Sequence, residues 1–338
     1  MKVLFHVGYP LAWAPGGHAV QIRATQRELE RAGVEVAWLH PEDPEPAAAD
    51  ILHYWGSPPS LQHVRLARGR GLTVVCSPMV AAAATRAAAA QRAAALFVRL
   101  ARRALGAARL GRCFPQALYV ECDRLVLGNA VELDYLARVW GLARERMSVI
   151  PNGVDEAFTD PSVEPIPFDG LLYAGYICEV KNSVELAEAA RRAEVPILFV
   201  GAARSESEAY TQRFRALVDG RLVQWLDRVA PPREMAARMR GAAGVVLASR
   251  YEGYPLAAVE ALACGRPVLL PDLPNVRAIF AGAAEYAPPP SRPGFVEALK
   301  AFRARAAMGR PPARFPVLRW PDVVGQLRGV YQRAMESP

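Results

Sequence analysis

The chain is 338 residues long, 52% apolar and 22% charged, with 41 basic and 33 acidic residues. That length suits two domains of ordinary size, and the composition excludes a disordered, collagen-like or disulfide-scaffold protein. No run reaches the roughly 18 uninterrupted apolar residues of a membrane-spanning helix. Only Lys2, Lys181 and Lys300 are lysines; every other basic residue is an arginine. Residues 51–120 hold ten arginines and no Asp or Glu. Such a one-signed block can face a membrane surface, a phosphorylated acceptor or nucleic acid.

Val3–Val7 reads as a buried strand rather than a secretory signal, because Gly8 and Pro10 end its apolar run. A Gly/Pro loop leads into a helical pattern over 18–32, which Gly33 stops. Val34–His40, Asp50–Tyr54 and Leu72–Cys76 read as further strands. The Ala/Arg-rich segment 80–112 is helical by propensity, with Gly106 and Gly111 weakening its end. On a helical projection Arg92, Arg99, Arg102, Arg103 and Arg109 share one face, with Leu96, Phe97 and Leu100 away from it. A core-packing helix with a solvated arginine face is one reading; a helix facing membrane or acceptor is the other. Pro151, Pro161, Pro165 and Pro167 punctuate a stretch without periodicity, expected to be a linker. After residue 155 strands recur near 170–175, 196–201, 221–226, 244–249 and 267–271. Regular β–α alternation predicts an α/β protein with parallel sheets covered on both faces.

The five cysteines are scattered without a Cys-x-x-Cys, which points to reduced thiols in a cytoplasm. All five histidines precede residue 64, with no His-x-x-x-His, and no Asp-x-Asp occurs. No metal cofactor is expected.

The strongest chemical signal is Ser249-Arg250-Tyr251-Glu252-Gly253-Tyr254-Pro255-Leu256-Ala257-Ala258-Val259-Glu260. It follows a strand and opens a helix, with Pro255 suited to the first helical position. Amides at such a helix start point to the carboxyl edge of the sheet and favour a phosphate. Carboxylates at both ends of the element suit the adjacent hydroxyls of ribose and hexose. A second signal, Gly175-Tyr176-Ile177-Cys178-Glu179-Val180-Lys181-Asn182, follows the strand Leu171–Ala174. There Asn182 and Glu185 read as a capping pair that sets Lys181, a compact ammonium, beside a helix start. The third is Pro15-Gly16-Gly17-His18 between the first strand and helix. Its two glycines let backbone approach a ligand closely, although the pattern is not that of a dinucleotide site.

The Glu252–Glu260 element resembles the Glu-x7-Glu motif of glycosyltransferase family 4, retaining sugar-nucleotide transferases of the GT-B fold. Val149–Asp155 resembles that family's interdomain signature, Ala261–Val268 the continuation of the motif, and Trp320–Tyr331 its closing helix. The resemblance implies two Rossmann-like domains facing across a cleft. Residues 1–155 would bind the acceptor, 168–320 the nucleotide-sugar donor, and 321–338 would form a helix returning to the first domain. It implies that Glu252 is catalytic, against the donor sugar, and that Glu260 binds ribose. Gly253, Tyr254 and Leu256 would lie near sugar and phosphate, and Gly16, Gly17 and Lys181 against the diphosphate. Pro255 lacks the amide hydrogen for one such contact. Lys181 matches the lysine of the family's Gly-Arg-x4-Lys motif, but Tyr176 stands where its arginine belongs. An uncharged donor there stabilises a leaving diphosphate less well. The family's histidine after the fourth strand is replaced by Ser77-Pro78-Met79, and His53 lies near another histidine position.

These readings lead to a retaining, metal-independent glycosyltransferase without cofactor other than its nucleotide-diphosphate sugar co-substrate. The acceptor would be a glycan, a lipid-linked molecule or a small molecule. The enzyme would be cytoplasmic, closing over a hinge at Asn152–Pro167, with the arginine face of 86–112 able to touch an anionic membrane. Nucleic acid is not an expected partner. Two other readings remain: a nucleotide-sugar-binding protein with impaired catalysis, and a sugar-nucleotide epimerase on the same architecture.

Overall fold

The computed structural model describes the chain except residues 14–15, 41–47, 204–207, 228–230, 310 and 337–338, and the side chains of 105–108, 110–113 and 115. Pro15 and the side chains of Arg112 and Cys113 therefore lie outside the described residues. One compact unit comprises Met1–Ala14, His18–Asn152 and Trp320–Pro338; the other comprises Pro15–Gly17 and Gly153–Arg319.

In the first unit β1 (Lys2–Val7), β2 (Glu35–Trp38), β3 (Ile51–Trp55), β4 (Thr73–Ser77), β5 (Arg124–Leu127) and β6 (Met147–Val149) form a sheet. Its order is β2-β1-β3-β4-β5-β6, and every pairing is parallel. All five residues of β3 are buried, as a central strand covered on both faces must be. The helices are α1 (Gly17–Arg31), α2 (Leu61–Gly69), α3 (Ala81–Ala84), α4 (Ala88–Cys113) and α5 (Ala130–Tyr135). Gly33, at φ +76°, ends α1 in the left-handed conformation its sequence signalled.

The Ala/Arg segment is two helices, and α4 continues through Gly106 and Gly111. Its inward face carries small residues around Val98 and Gln91, both buried, while Ala94, Ala95 and Ala101 pack on the core. Arg102 also turns inward, its Nη2 donating to the Trp140 carbonyl at 2.9 Å. This corrects the projected arginine face. Leu96, Phe97 and Leu100 are 55%, 52% and 55% exposed, and Leu96 and Leu100 share the outer face with Arg92, Arg99 and Arg103.

The C-terminal helix Trp320–Glu336 belongs to this unit and buries Tyr331 completely. The Tyr331 hydroxyl is 2.6 Å from His53 Nδ1, and Ser77 Oγ is 2.8 Å from His53 Nε2. His53 has no exposed surface, and burial pushes its pKa down to about 3, so the ring is neutral near pH 7.

The second unit's sheet contains β7 (Leu171–Ala174), β8 (Ile197–Val200), β9 (Val223–Leu226), β10 (Gly244–Val246), β11 (Val268–Pro271) and β12 (Glu285–Ala287). Its order is β12-β11-β10-β7-β8-β9, again parallel throughout. Its helices are α6 (Ser183–Ala193), α7 (Ala209–Arg215), α8 (Pro232–Gly241), α9 (Leu256–Ala263), α10 (Pro274–Phe280) and α11 (Phe295–Ala307). Strand order reverses between β7 and β10, the place where open α/β sheets form a ligand crevice at their carboxyl edge.

The proline-punctuated segment is not a free linker. Phe158 and Val163 are buried in the second core. The Ile166 amide donates to Ala237 O at 2.9 Å, the Phe168 amide to Gly241 O at 3.1 Å, and Arg240 Nη1 to Val163 O at 2.9 Å. A Cβ on Gly241 would overlap the Ile166 carbonyl, so this strap requires glycine at the end of α8. Residues 153–167 thus pack as part of the second unit.

Tyr331→Phe removes one partner of the buried His53 ring, and about 1–3 kcal/mol of stability should be lost. Urea unfolding of both proteins reads this directly. An unchanged midpoint would mean that the hydroxyl contributes nothing there.

Candidate functional site

The loops after β7 and β10 flank the strand-order reversal of the second sheet, and the two strongest sequence motifs occupy them. Residues 247–249 run on buried from β10. Ser249 Oγ donates to Glu252 Oε1 at 2.6 Å, and Lys181 Nζ donates to the same oxygen at 2.6 Å. Glu252 is 7% exposed. A carboxylate so far from water needs such partners, and both use one oxygen. Among the described residues Oε2 takes no protein hydrogen bond.

The backbone of this loop is equally fixed. Asn275, fully buried in the first turn of α10, donates from Nδ2 to Glu252 O at 2.5 Å and Gly253 O at 3.1 Å. The two loops are also stitched together. Asn182 Nδ2 donates to Ala248 O at 2.7 Å, Arg250 Nε donates to Asn182 Oδ1 at 2.9 Å, and the Arg250 amide reaches Val180 O at 2.8 Å.

This arrangement corrects the expected capping pair. Asn182 adopts a left-handed conformation, φ 52°, and makes no side-chain cap on α6. Its side chain bridges to β10's extension instead, and Glu185 accepts from the Tyr210 hydroxyl at 2.6 Å. Lys181 still sits beside the start of α6. Pro255 stands one position earlier than expected, as the residue preceding α9 rather than its first. The first intrahelical bond is Ala258 N to Pro255 O, 3.1 Å, so the amides of Leu256 and Ala257 fall within the open first turn.

Glu260 lies one turn further along α9. Burial pushes its pKa up to about 7, and the nearby Asp155 carboxylate adds to the rise. Asp155 Oδ1 itself accepts from the Ala157 amide at 3.2 Å. Tyr254 is half-buried, its hydroxyl pushed up to about 12 by burial.

Gly16 and Gly17 group with this unit. A Cβ on Gly16 would lie 2.6 Å from Tyr176 Cε2, and one on Gly17 3.6 Å from Leu256 Cδ1. The Tyr176 ring therefore approaches Gly16 too closely for a side chain there, and the Tyr173 hydroxyl donates to the Tyr176 carbonyl at 2.7 Å. His18 belongs to the first unit, with Nδ1 2.6 Å from the Tyr9 hydroxyl. The structure thus brings together Glu252, Gly253, Lys181, Leu256 and the Glu260 helix, and leaves His53 sealed in the first core. Sequence reasoning missed Asn275, Asp155 and the bond from Ser249. Only Ser249 carried a signal, as the last residue before the motif's loop.

Between pH 4.5 and 7 the folded chain keeps Glu260 protonated while the unfolded chain ionises it. Stability from this group is fully present below pH 4.5, falls as pH rises, and is lost above 7. Glu260→Gln should therefore melt progressively higher than the parent across that window, by a margin that stays constant at higher pH. A pH-independent difference in thermal melts would contradict the placement of this carboxyl.

Residues 169–303 match the family described as Glycosyl transferases group 1. The D-inositol 3-phosphate glycosyltransferase 1 of Catenulispora acidiphila is 30% identical over 257 residues, 65% of this chain and 60% of that relative. The chain thus spans less than two thirds of the curated relative's length. Among solved structures, sucrose-phosphate synthase from Thermosynechococcus elongatus aligns over 100% of both chains with TM-score 0.67 and 15% identity. Anabaena Alr3699/HepE in complex with UDP and glucose has TM-score 0.62 and 14% identity, over 98% of this chain and 100% of its own. At such identities the shared property is the fold. The structural likeness shows a GT-B fold, and residues 169–303 of the second unit are similar to the Glycosyl transferases group 1 family.

Proposed function

We propose that the chain is a retaining glycosyltransferase that moves a sugar from a nucleoside diphosphate sugar to an acceptor hydroxyl without a metal ion. The observation that carries this reading is Glu252, immobilised by Ser249, Lys181 and Asn275 at the entrance to α9. Its Oε2 is left to accept from a sugar hydroxyl. The donor's diphosphate would lie against the amides of Leu256 and Ala257 and the Lys181 ammonium, where developing negative charge is stabilised electrostatically. Glu260, ionised, would accept from both ribose hydroxyls. In the reaction the bond between the anomeric carbon and the phosphate oxygen breaks, and the electron pair leaves with the diphosphate. The acceptor oxygen bonds that carbon, and its proton passes to the released diphosphate.

The relative named for D-inositol 3-phosphate makes a phosphorylated polyol one acceptor to try, beside glycans and lipid-linked sugars. UDP-sugars come first among donors because a neighbour of the same fold holds UDP and glucose. A cytoplasmic enzyme remains our expectation from its unpaired cysteines; no described helix is long and apolar enough to cross a membrane.

Tyr176 favours a second reading, a nucleotide-sugar-binding protein with weak transfer, because only Lys181 supplies a side-chain cation in that loop beside the carboxylate. Thermal melts against UDP, GDP, ADP, CMP and dTDP come first. A ligand at a hundredfold excess over its Kd adds about 2.7 kcal/mol, and Lys181→Ala and Glu260→Ala should both abolish the shift. Glu252→Gln should leave nucleotide binding in place while lowering donor turnover roughly 10²–10³-fold, the scale for losing one electrostatic contact to a transition state. No shift with any nucleotide would overturn the donor site. A shift without transfer or donor hydrolysis would select the binding-protein reading.

A further inference from the structure

The outer face of α4 is the least expected surface of the first unit. Arg92, Leu96, Arg99 and Arg103 recur at three- and four-residue spacing, with Leu100 four residues after Leu96, so they form a single exposed stripe. Leu96 and Leu100 each leave about half their surface in water in the middle of that stripe, and Phe97, equally exposed, lies on its flank. Phe97 makes an edge-to-face contact with Phe114, ring centroids 5.6 Å apart, while about half its surface stays in water. No carboxylate pairs with Arg92, Arg99 or Arg103 among the described residues, and residues 51–120 contain no acid at all.

We propose that this face of α4 is an interfacial helix that docks the first unit on an anionic lipid surface. The helix would lie along the bilayer plane. Leu96, Phe97 and Leu100 would enter the boundary between headgroups and acyl chains, and the arginines would reach up to lipid phosphates. The charge pattern selects this occupant. A second copy using the same face would set arginine against arginine, and a nucleic acid would gain nothing from burying two leucines and a phenylalanine. The stripe's arginines alone would be a solvated face; its apolar centre is what water does not explain. The proposal uses no property of the second unit and holds with or without transferase activity.

The test is flotation of the full chain, without nucleotide, on phosphatidylcholine vesicles and on vesicles that also contain phosphatidylglycerol. Binding is expected only to the anionic vesicles and should weaken with salt. Each arginine near such a surface is worth about fivefold in affinity, so Arg92→Gln/Arg99→Gln/Arg103→Gln should weaken binding roughly a hundredfold. The corresponding triple lysine variant should keep it, and Leu96→Ser/Leu100→Ser should lose it. All of these side chains are outward-facing, and unchanged melting of each variant verifies its fold. Equal binding to neutral and anionic vesicles, or full binding by the serine variant, would overturn the proposal. So would duplex DNA binding without vesicle binding, or self-association that the serine variant abolishes.

Discussion

A carboxylate with under a tenth of its surface in water holds the second unit's chemistry in place. Ser249 and Lys181 both donate to one oxygen of Glu252, giving the buried carboxylate the partners that water would otherwise supply. Those two residues come from loops seventy positions apart in sequence, and they meet because β10 pairs directly with β7. The reversal of strand order makes neighbours of two loops that any sequential arrangement of strands would have separated. Asn182 and Arg250 then tie those loops backbone to side chain, and Asn275 locks the carbonyls of Glu252 and Gly253. The start of α9 is aimed by this lattice, not by a cap of its own, since Pro255 supplies no side-chain hydrogen bond.

What the sequence made legible follows from the range of the interactions involved. Nine of the twelve strands among the described residues announce themselves as apolar runs bounded by turns. β5, β6 and β12 do not, because Arg124, Ser148 and Glu285 interrupt or open them and leave no longer apolar run to stand out. The strap over 153–167 looked like a linker because prolines erase periodicity. Its partners Ala237 and Gly241 lie some seventy residues away and carry no mark of it. Asn182 shows the same limit at closer range. A local pattern suggested a cap on α6, but the side chain is used by Ala248, a partner that only sheet order could provide. The site motif was readable because helix start, strand end and carboxylates are contiguous there.

The helix α4 was misread for a different reason. Leucine and phenylalanine were assigned inward because large apolar side chains usually are, yet alanines meet the core and the large residues face out. Alanine lets α4 approach the turn at Leu136–Trp140 closely enough for Arg102 to reach the Trp140 carbonyl. Close approach, not burial of bulk, sets the rotation of this helix about its axis.

The charges around the Glu252 loop bear on how a diphosphate would be held. Lys181 is already engaged by Glu252, and Arg250 lies near Glu179 and Glu185 at 4.0 and 3.8 Å. Asp155 lies near enough to Glu260 to add to the rise that burial causes in its pKa. The Lys181 ammonium and the Arg250 guanidinium are therefore both engaged by carboxylates before any ligand arrives. An incoming diphosphate would have to share the Lys181 ammonium with Glu252, and the remaining attraction must come from the peptide dipoles at the start of α9. Backbone amides do not titrate and need no reorganisation. On this reading a tyrosine in place of a second cation moves the burden from side-chain charge to the geometry of one helix end, which is why the residues that fix that geometry, Asn275 and Asn182, matter as much as those that would touch the donor.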